Sequence, residues 1–154
     1  MRDGVRTSLK EAGFVEGKNL KFIYQSAQGN PATAAQIARK FVGDAPDVIV
    51  PITTPSAQAV VAATKDIPVV FSAITDPVAA KLVKSWDASG TNVTGVSDLS
   101  PISRHLDLVK QIVPSAKRLG VIYSPGEANS VALVEILRKE VKAKGLTLVE
   151  APAQ

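Results

Sequence analysis

Apolar residues in this chain recur at two spacings, and stretches of one alternate with stretches of the other. Over residues 1–13, Val5, Leu9 and Ala12 fall at helical spacing, and Gly13 is suited to end that helix. Residues 20–24 carry Leu20, Phe22, Ile23 and Tyr24, a run of branched and aromatic side chains that predicts a strand, and a turn follows at 25–29. Asn30 and Pro31 then open a helix whose apolar stripe is Ala34, Ile37, Ala38, Phe41 and Val42, stopping at Gly43 and Asp44.

Residues 47–78 make the same statement twice. The apolar run 47–52 leads through Thr53-Thr54-Pro55-Ser56 into an alanine-rich helix over 56–65, and the run 68–74 leads through Thr75-Asp76-Pro77-Val78 into a short helix over 78–84. In each, a hydroxyl or carboxylate residue (Thr54, Asp76) precedes a proline, an order that caps free amides and places proline where no amide is needed. Pro51 is anomalous, because proline inside a strand removes a ladder donor and belongs at an edge or bulge. The remaining elements are a turn at 89–91, a strand over 92–96, a helix over 102–113 capped by Ser100, a strand over 118–123, a helix over 129–144 and a strand from 146 to 150.

The order is therefore α-β-α-β-α-β-α-β, a linker, then α-β-α-β. Such alternation implies parallel pairing with right-handed crossovers, the pattern of a Rossmann-like doubly wound α/β sheet. A sheet of that kind normally begins with a strand, and the last β-α-β is too small to bury a core of its own, so the chain reads as cut at both ends. Two helix N-termini would open side by side at the carboxyl edge of the sheet, where open α/β sheets bind small ligands.

Composition narrows the function more by exclusion than by indication. The 154 residues are 45% apolar and 5% aromatic, with a net charge of +4 spread through mixed runs such as Arg138-Lys139-Glu140. That distribution lacks the clustered basic stripe of a nucleic-acid binder. Without cysteine there is no disulfide, thiolate metal site or cysteine nucleophile. No run approaches a membrane span, and Met1-Arg2-Asp3-Gly4 lacks the apolar stretch of an export signal, which suits a cytosolic protein or one whose N-terminus has been removed. Nucleophile elbows, phosphate loops, dinucleotide fingerprints and paired metal histidines are absent from the sequence. His105 reads as a helix-surface histidine and Trp86 as a packed residue at a helix end. Neither an enzymatic activity, a cofactor nor a metal is expected.

Binding signals are stronger. The amides opening the helices after Thr54 and Asp76, with the hydroxyls of Thr53, Thr54, Ser56 and Ser72, suit a carboxylate. Asp98 in the linker and Glu127 after Tyr123 suit the positive end of an amino acid. Asp76 serves first as a cap and second as a ligand contact, and capping alone is the competing account of the hydroxyls.

Several motifs, in order, carry a resemblance: Glu11-Ala12-Gly13-Phe14-Val15-Glu16-Gly17-Lys18-Asn19-Leu20, the Thr54-Pro55 helix start, Ile67-Pro68-Val69-Val70-Phe71-Ser72, Thr75-Asp76-Pro77-Val78-Ala79-Ala80, Gly90-Thr91-Asn92-Val93-Thr94-Gly95-Val96-Ser97 and Glu127-Ala128-Asn129-Ser130. Together they resemble the ABC-transporter substrate-binding proteins that include tryptophan and tyrosine binders. The resemblance implies a type I periplasmic-binding fold in which residues 1–97 form most of lobe one without its first strand, 98–101 the hinge, and 102–154 the start of lobe two. It implies a periplasmic or lipid-anchored protein that passes an amino-acid-like solute to an ABC permease. Ser97, Asn129 and Ser130, standing in the matching motifs, join the expected ligand-binding set. A ligand-sensing regulatory domain of the same fold, or a small α/β enzyme, is the alternative. The missing first strand would leave two unpaired edges beside residues 20–24 and 47–52, and a strand-exchanged homo-oligomer is the expected remedy.

Overall fold

A computed structural model describes residues 1–87 and 90–153. Its elements in chain order are helices α1 (Arg2–Glu11), α2 (Pro31–Asp44) and α3 (Thr54–Ala63), strands β1 (Val69–Ile74) and β2 (Val93–Ser97), helix α4 (Ile102–Ile112), strand β3 (Arg118–Tyr123), helix α5 (Ala128–Ala143) and strand β4 (Thr147–Pro152). The strands pair as two parallel sheets, β1 with β2 and β3 with β4. Residues 98–101 carry the chain from one to the other. Of the turn expected at 89–91, Ser89 lies outside the described residues.

Residues 47–52 lie along the other side of β1, as two isolated parallel bridges, Ile49 with Val69 and Ile52 with Ser72. Ile49 N donates to Pro68 O and Val70 N to Ile49 O, and further on Ser72 N donates to Pro51 O and Thr53 N to Ser72 O. All four bonds fit one register. The missing rung is the one the amide of residue 51 would make, and proline has no amide.

The first core is built on one face of this sheet. Ile49, Val69, Phe71 and Val93 point into it and meet Ala38 of α2 with Ala57 and Val60 of α3. Alternation along the strands sends Val48, Val50, Val70 and Val96 to the opposite face, where all four are exposed. The second core is smaller: Leu106 of α4, Val141 of α5 and Leu146, with Leu119 and Leu148 beneath them. There too one face stays open, with Ile122 and Val149 in solvent.

Three expected elements do not form as written. Residues 20–24 build no ladder among the described residues; Leu20 bridges only Glu16, and no strand lies alongside to supply partners. Their aromatic rings serve as platforms instead, Phe22 under the Arg6 guanidinium at 4.8 Å and Tyr24 under Arg2 at 5.3 Å. The helix expected over 78–84 is a single turn. Lys81 enters the left-handed region (φ 59), Leu82 N reaches back to Pro77 O and Lys81 N to Val78 O, a Schellman closure with lysine in the usual glycine position. Trp86 therefore has no helix end to pack on and is 55% exposed. Ser100, finally, does not cap α4: Pro101 stands at the cap position with ψ 77, and Ser100 gives only its carbonyl, to Ile102 N.

Gly95 marks the closest approach in the first sheet. It faces Phe71 in register, and a Cβ there would lie 2.2 Å from the Phe71 carbonyl oxygen. The obstacle is backbone as well as ring, so no side-chain rotation clears it. Gly95→Ala is expected to lower stability by about 1–3 kcal/mol or more in urea unfolding, the range for forced overpacking.

In the second unit Arg138 clamps Glu150 of β4 through Nε to Oε1 at 2.8 Å and Nη2 to Oε2 at 2.7 Å, and also pairs with Glu135. This guanidinium, with a smaller contribution from Tyr123, holds the Glu150 carboxyl below its usual range, against the opposing effect of burial. A carboxyl depressed in the folded state adds stability above its unfolded pKa of about 4.3 and loses it as pH falls through the folded value. Glu150→Gln should therefore lower the melting temperature at pH 7 while the gap to the parent narrows progressively below about pH 4. A gap independent of pH would contradict this.

Candidate functional site

The carboxyl edge of the first sheet is set by backbone pairing. Thr53 N donates to Ser72 O at 3.1 Å on one side of β1, and Asp98 N donates to Ile74 O at 3.0 Å on the other. Thr53 thus stands beside the Ser72–Ala73 level of β1, and Asp98 beside the end of the strand on its other side. Between Phe71, opposite Gly95, and Ile74, opposite Ser97, the register slips by one residue. Ser72 and Ala73 thus share one partner, Val96, in a β-bulge with Ala73 left-handed at φ 55.

Strain concentrates here. Thr53 holds φ 79 and ψ 152, a conformation normally reserved for glycine, and Lys81 closes the adjacent turn left-handed. Such residues cost about 1–3 kcal/mol each and gather at binding sites and switches.

The cap of helix α3 lies one residue earlier than the sequence predicts, and the helix runs from Thr54 to Ala63 rather than over 56–65. Its first bond runs from Ala57 N to Thr53 O, so Thr53 is the cap residue, and Thr54, expected to cap, is buried in the first turn at 2% exposure. The Thr53 side chain does not cap; its Oγ1 faces Ser56 Oγ at 3.5 Å, the outer limit of a hydrogen bond. The first amides of α3 thus lack a side-chain cap among the described residues and point to the carboxyl edge. By contrast Asn30 caps α2 with Oδ1 on Thr33 N, and Asp76 Oδ1 accepts from Val78 N at 2.9 Å and Ala79 N at 2.8 Å, the capping role read for it from sequence. Gln58 Nε2, bonded to Ala80 O, ties the Asp76 turn to α3.

Other candidates are engaged within the chain. Ser72 Oγ lies 3.9 Å from Met1 Sδ. Ser97 Oγ donates to Thr75 O at 2.8 Å and accepts from Leu99 N at 3.0 Å. Ser130 Oγ accepts from Ser124 N and shapes the turn before α5. Glu127 stands exposed at the start of α5, its Oε2 accepting from Asn129 Nδ2 at 3.3 Å. The Oδ1 of Asn129 is buried and has no partner among the described residues, an unsatisfied acceptor beside the start of α5.

The two units meet where α5 begins. Ala128 packs against the first core, and a cavity of about 550 Å3 opens between Asp76 and Ala79 on one side and Pro125, Gly126, Ala128 and α5 on the other. Its α5 wall comprises two rows at four-residue spacing, Ala128, Ala132 and Ile136 beside Val131, Glu135 and Lys139. Sequence reading gave this helix, beyond Asn129 and Ser130, no role in the site; the paired rows were the available signal. Of the expected site residues, Asp76 alone lines the cavity, while Thr53, Ser56, Ser72 and Asp98 belong to the sheet edge beside it. Among the described residues no cluster of His, Asp or Glu suits a metal ion, and no helix is long and apolar enough to cross a membrane. His105 stands exposed on α4. The arrangement offers hydrogen bonds and charge to a small solute, set between two units that meet at one helix start.

Known proteins share this arrangement. A tyrosine-binding protein of Clostridioides difficile is 45% identical over 149 residues, covering 97% of this chain and 43% of that protein. A solved ABC domain from Streptococcus pneumonia in complex with L-Trp superposes with a TM-score of 0.95 at 36% identity, over 98% of this chain and 51% of that one. A ligand-free, open substrate-binding protein with adhesive properties from Clostridium difficile gives 0.76 at 42% identity, over 99% of this chain and 52% of that one. The chain thus spans about half the length of these relatives. Along all of residues 1–154 it matches the ABC transporter substrate binding protein family, and to that family it belongs.

Proposed function

We propose that this chain forms the greater part of one wall, and the beginning of the other, of the solute cleft in an ABC importer's substrate-binding protein. The solute is a small carboxylate-bearing molecule, an aromatic or other amino acid, which the full-length protein delivers to a membrane permease from the periplasm or from a lipid anchor outside the cytoplasm. In this reading residues 1–97 belong to lobe one, 98–101 to the hinge and 102–154 to lobe two.

The observation that carries the proposal is the likeness, over 98% of this chain, to a solved domain in complex with L-Trp. The relative named for tyrosine supports the same solute class. Chemistry agrees with it. The uncapped start of α3, with Thr53, Ser56 and Ser72 beside it, suits the carboxylate. Asp98 on the other side of β1 and Glu127 at the start of α5 suit the ammonium group, and the buried, unpartnered Asn129 Oδ1 is a further acceptor for it.

Titration of the full-length protein with L-tryptophan and L-tyrosine, followed by thermal unfolding, tests this directly. A ligand at a hundred times its dissociation constant adds about 2.7 kcal/mol of stability, a shift of several degrees. Ser72→Ala and Asp98→Ala should each reduce the shift while leaving the unliganded melting temperature within about a degree, as surface substitutions do. If no natural amino acid produces a shift, the solute class is wrong; if both variants respond like the parent, the sheet edge is not the site.

A further inference from the structure

Ser97 and Asp98 are the last positions where the crossing between the two units is tied to the first sheet. Asp98 N is held by Ile74 O, Ser97 Oγ donates to Thr75 O, and the same oxygen accepts from Leu99 N. Beyond Leu99 the next backbone bond is local, from Ile102 N to Ser100 O, and α4 starts there. One hydroxyl therefore joins three backbone segments: the exit of β2, the strand end leading into Asp76, and the crossing at Leu99. Its partner Thr75 directly precedes the Asp76 cap, and Asp76 faces α5 across the cavity between the units.

We infer that Ser97 is a positioning residue for cleft closure: its hydroxyl sets the angle at which the crossing leaves the first unit, and so where the second unit sits against the Asp76 turn. This role rests on the solute-binding reading for its purpose but not for its geometry. With its one donor and one of its two acceptor sites used inside the chain, the hydroxyl acts through the backbone. Removing it frees Leu99 N and leaves only the Asp98 bond at the pivot, so the crossing gains freedom exactly where a small angular change is amplified into displacement of the whole second unit.

The cysteine-free sequence makes the test direct. Spin labels at Asp66→Cys, next to the end of α3, and Lys142→Cys, in the last turn of α5, both exposed positions, report the distance between units in the full-length protein. Without any ligand, Ser97→Ala should broaden that distance distribution relative to the parent, and Ser97→Thr, which keeps the hydroxyl, should restore it. Affinity for L-tryptophan or L-tyrosine should fall about tenfold in Ser97→Ala, the loss equivalent to one hydrogen-bonded anchor, and mainly through faster dissociation. An unchanged distribution overturns the proposal: with affinity lost it makes Ser97 a ligand contact, and with affinity kept it makes the hydroxyl incidental. If no amino acid binds the parent, the solute reading fails while the ligand-free distances still decide the role of Ser97.

Discussion

The parallel pairing of β1 on both of its sides governs the rest of this structure. Its carbonyls at Ser72 and Ile74 accept from Thr53 N and Asp98 N, so the start of α3 and the exit toward the second unit are both referenced to one six-residue strand. These are backbone bonds, indifferent to side-chain identity and expensive to leave unmade once buried. The bulge at Ser72 and Ala73 then shifts one side of the strand against the other by a residue, and Ser97 comes opposite Ile74 as a result. A regular ladder would place Asp98 there and Ser97 one step back, opposite Ala73.

Much of this was legible in the sequence because it rests on local chemistry. Alternating apolar periods gave the α/β class and the parallel pairing; Asn30 and Asp76 carried the residue types that cap, and both cap. Family motifs spread over the chain pointed to the solute-binding proteins it belongs to. What could not be read depends on partners distant in sequence. A run such as 20–24 has strand composition whether or not a neighbour lies beside it, and here none of the described residues does. The single-turn helix at Pro77 stopped because Lys81 turned left-handed, a conformation that lysine does not advertise.

The expected site residues separate in the same way. Thr53 and Asp98 are brought to opposite sides of β1 by backbone pairing. Thr54 was misplaced by one residue, since a proline is tolerated in more than one position of a first helical turn and the first backbone bond, not the proline, fixes the start. Ser97 and Ser130 have hydroxyls that satisfy the chain's own amides and carbonyls, and composition alone does not tell such a hydroxyl from one left open to solvent.

The valines on the open face of the first sheet bear on handling as much as on architecture. Val48, Val50, Val70 and Val96 present a flat, branched, uncharged surface across adjacent strands, bordered by a segment whose outer edge has no ladder partner among the described residues. Surfaces of that kind join each other by the same forces that built the buried face. Refolding of this chain is thus a contest between intramolecular collapse, which is first order, and encounter between open faces, which rises with the square of concentration. Dilution favours the first and crowding the second, so yield is governed by how much chain is present when the sheet forms.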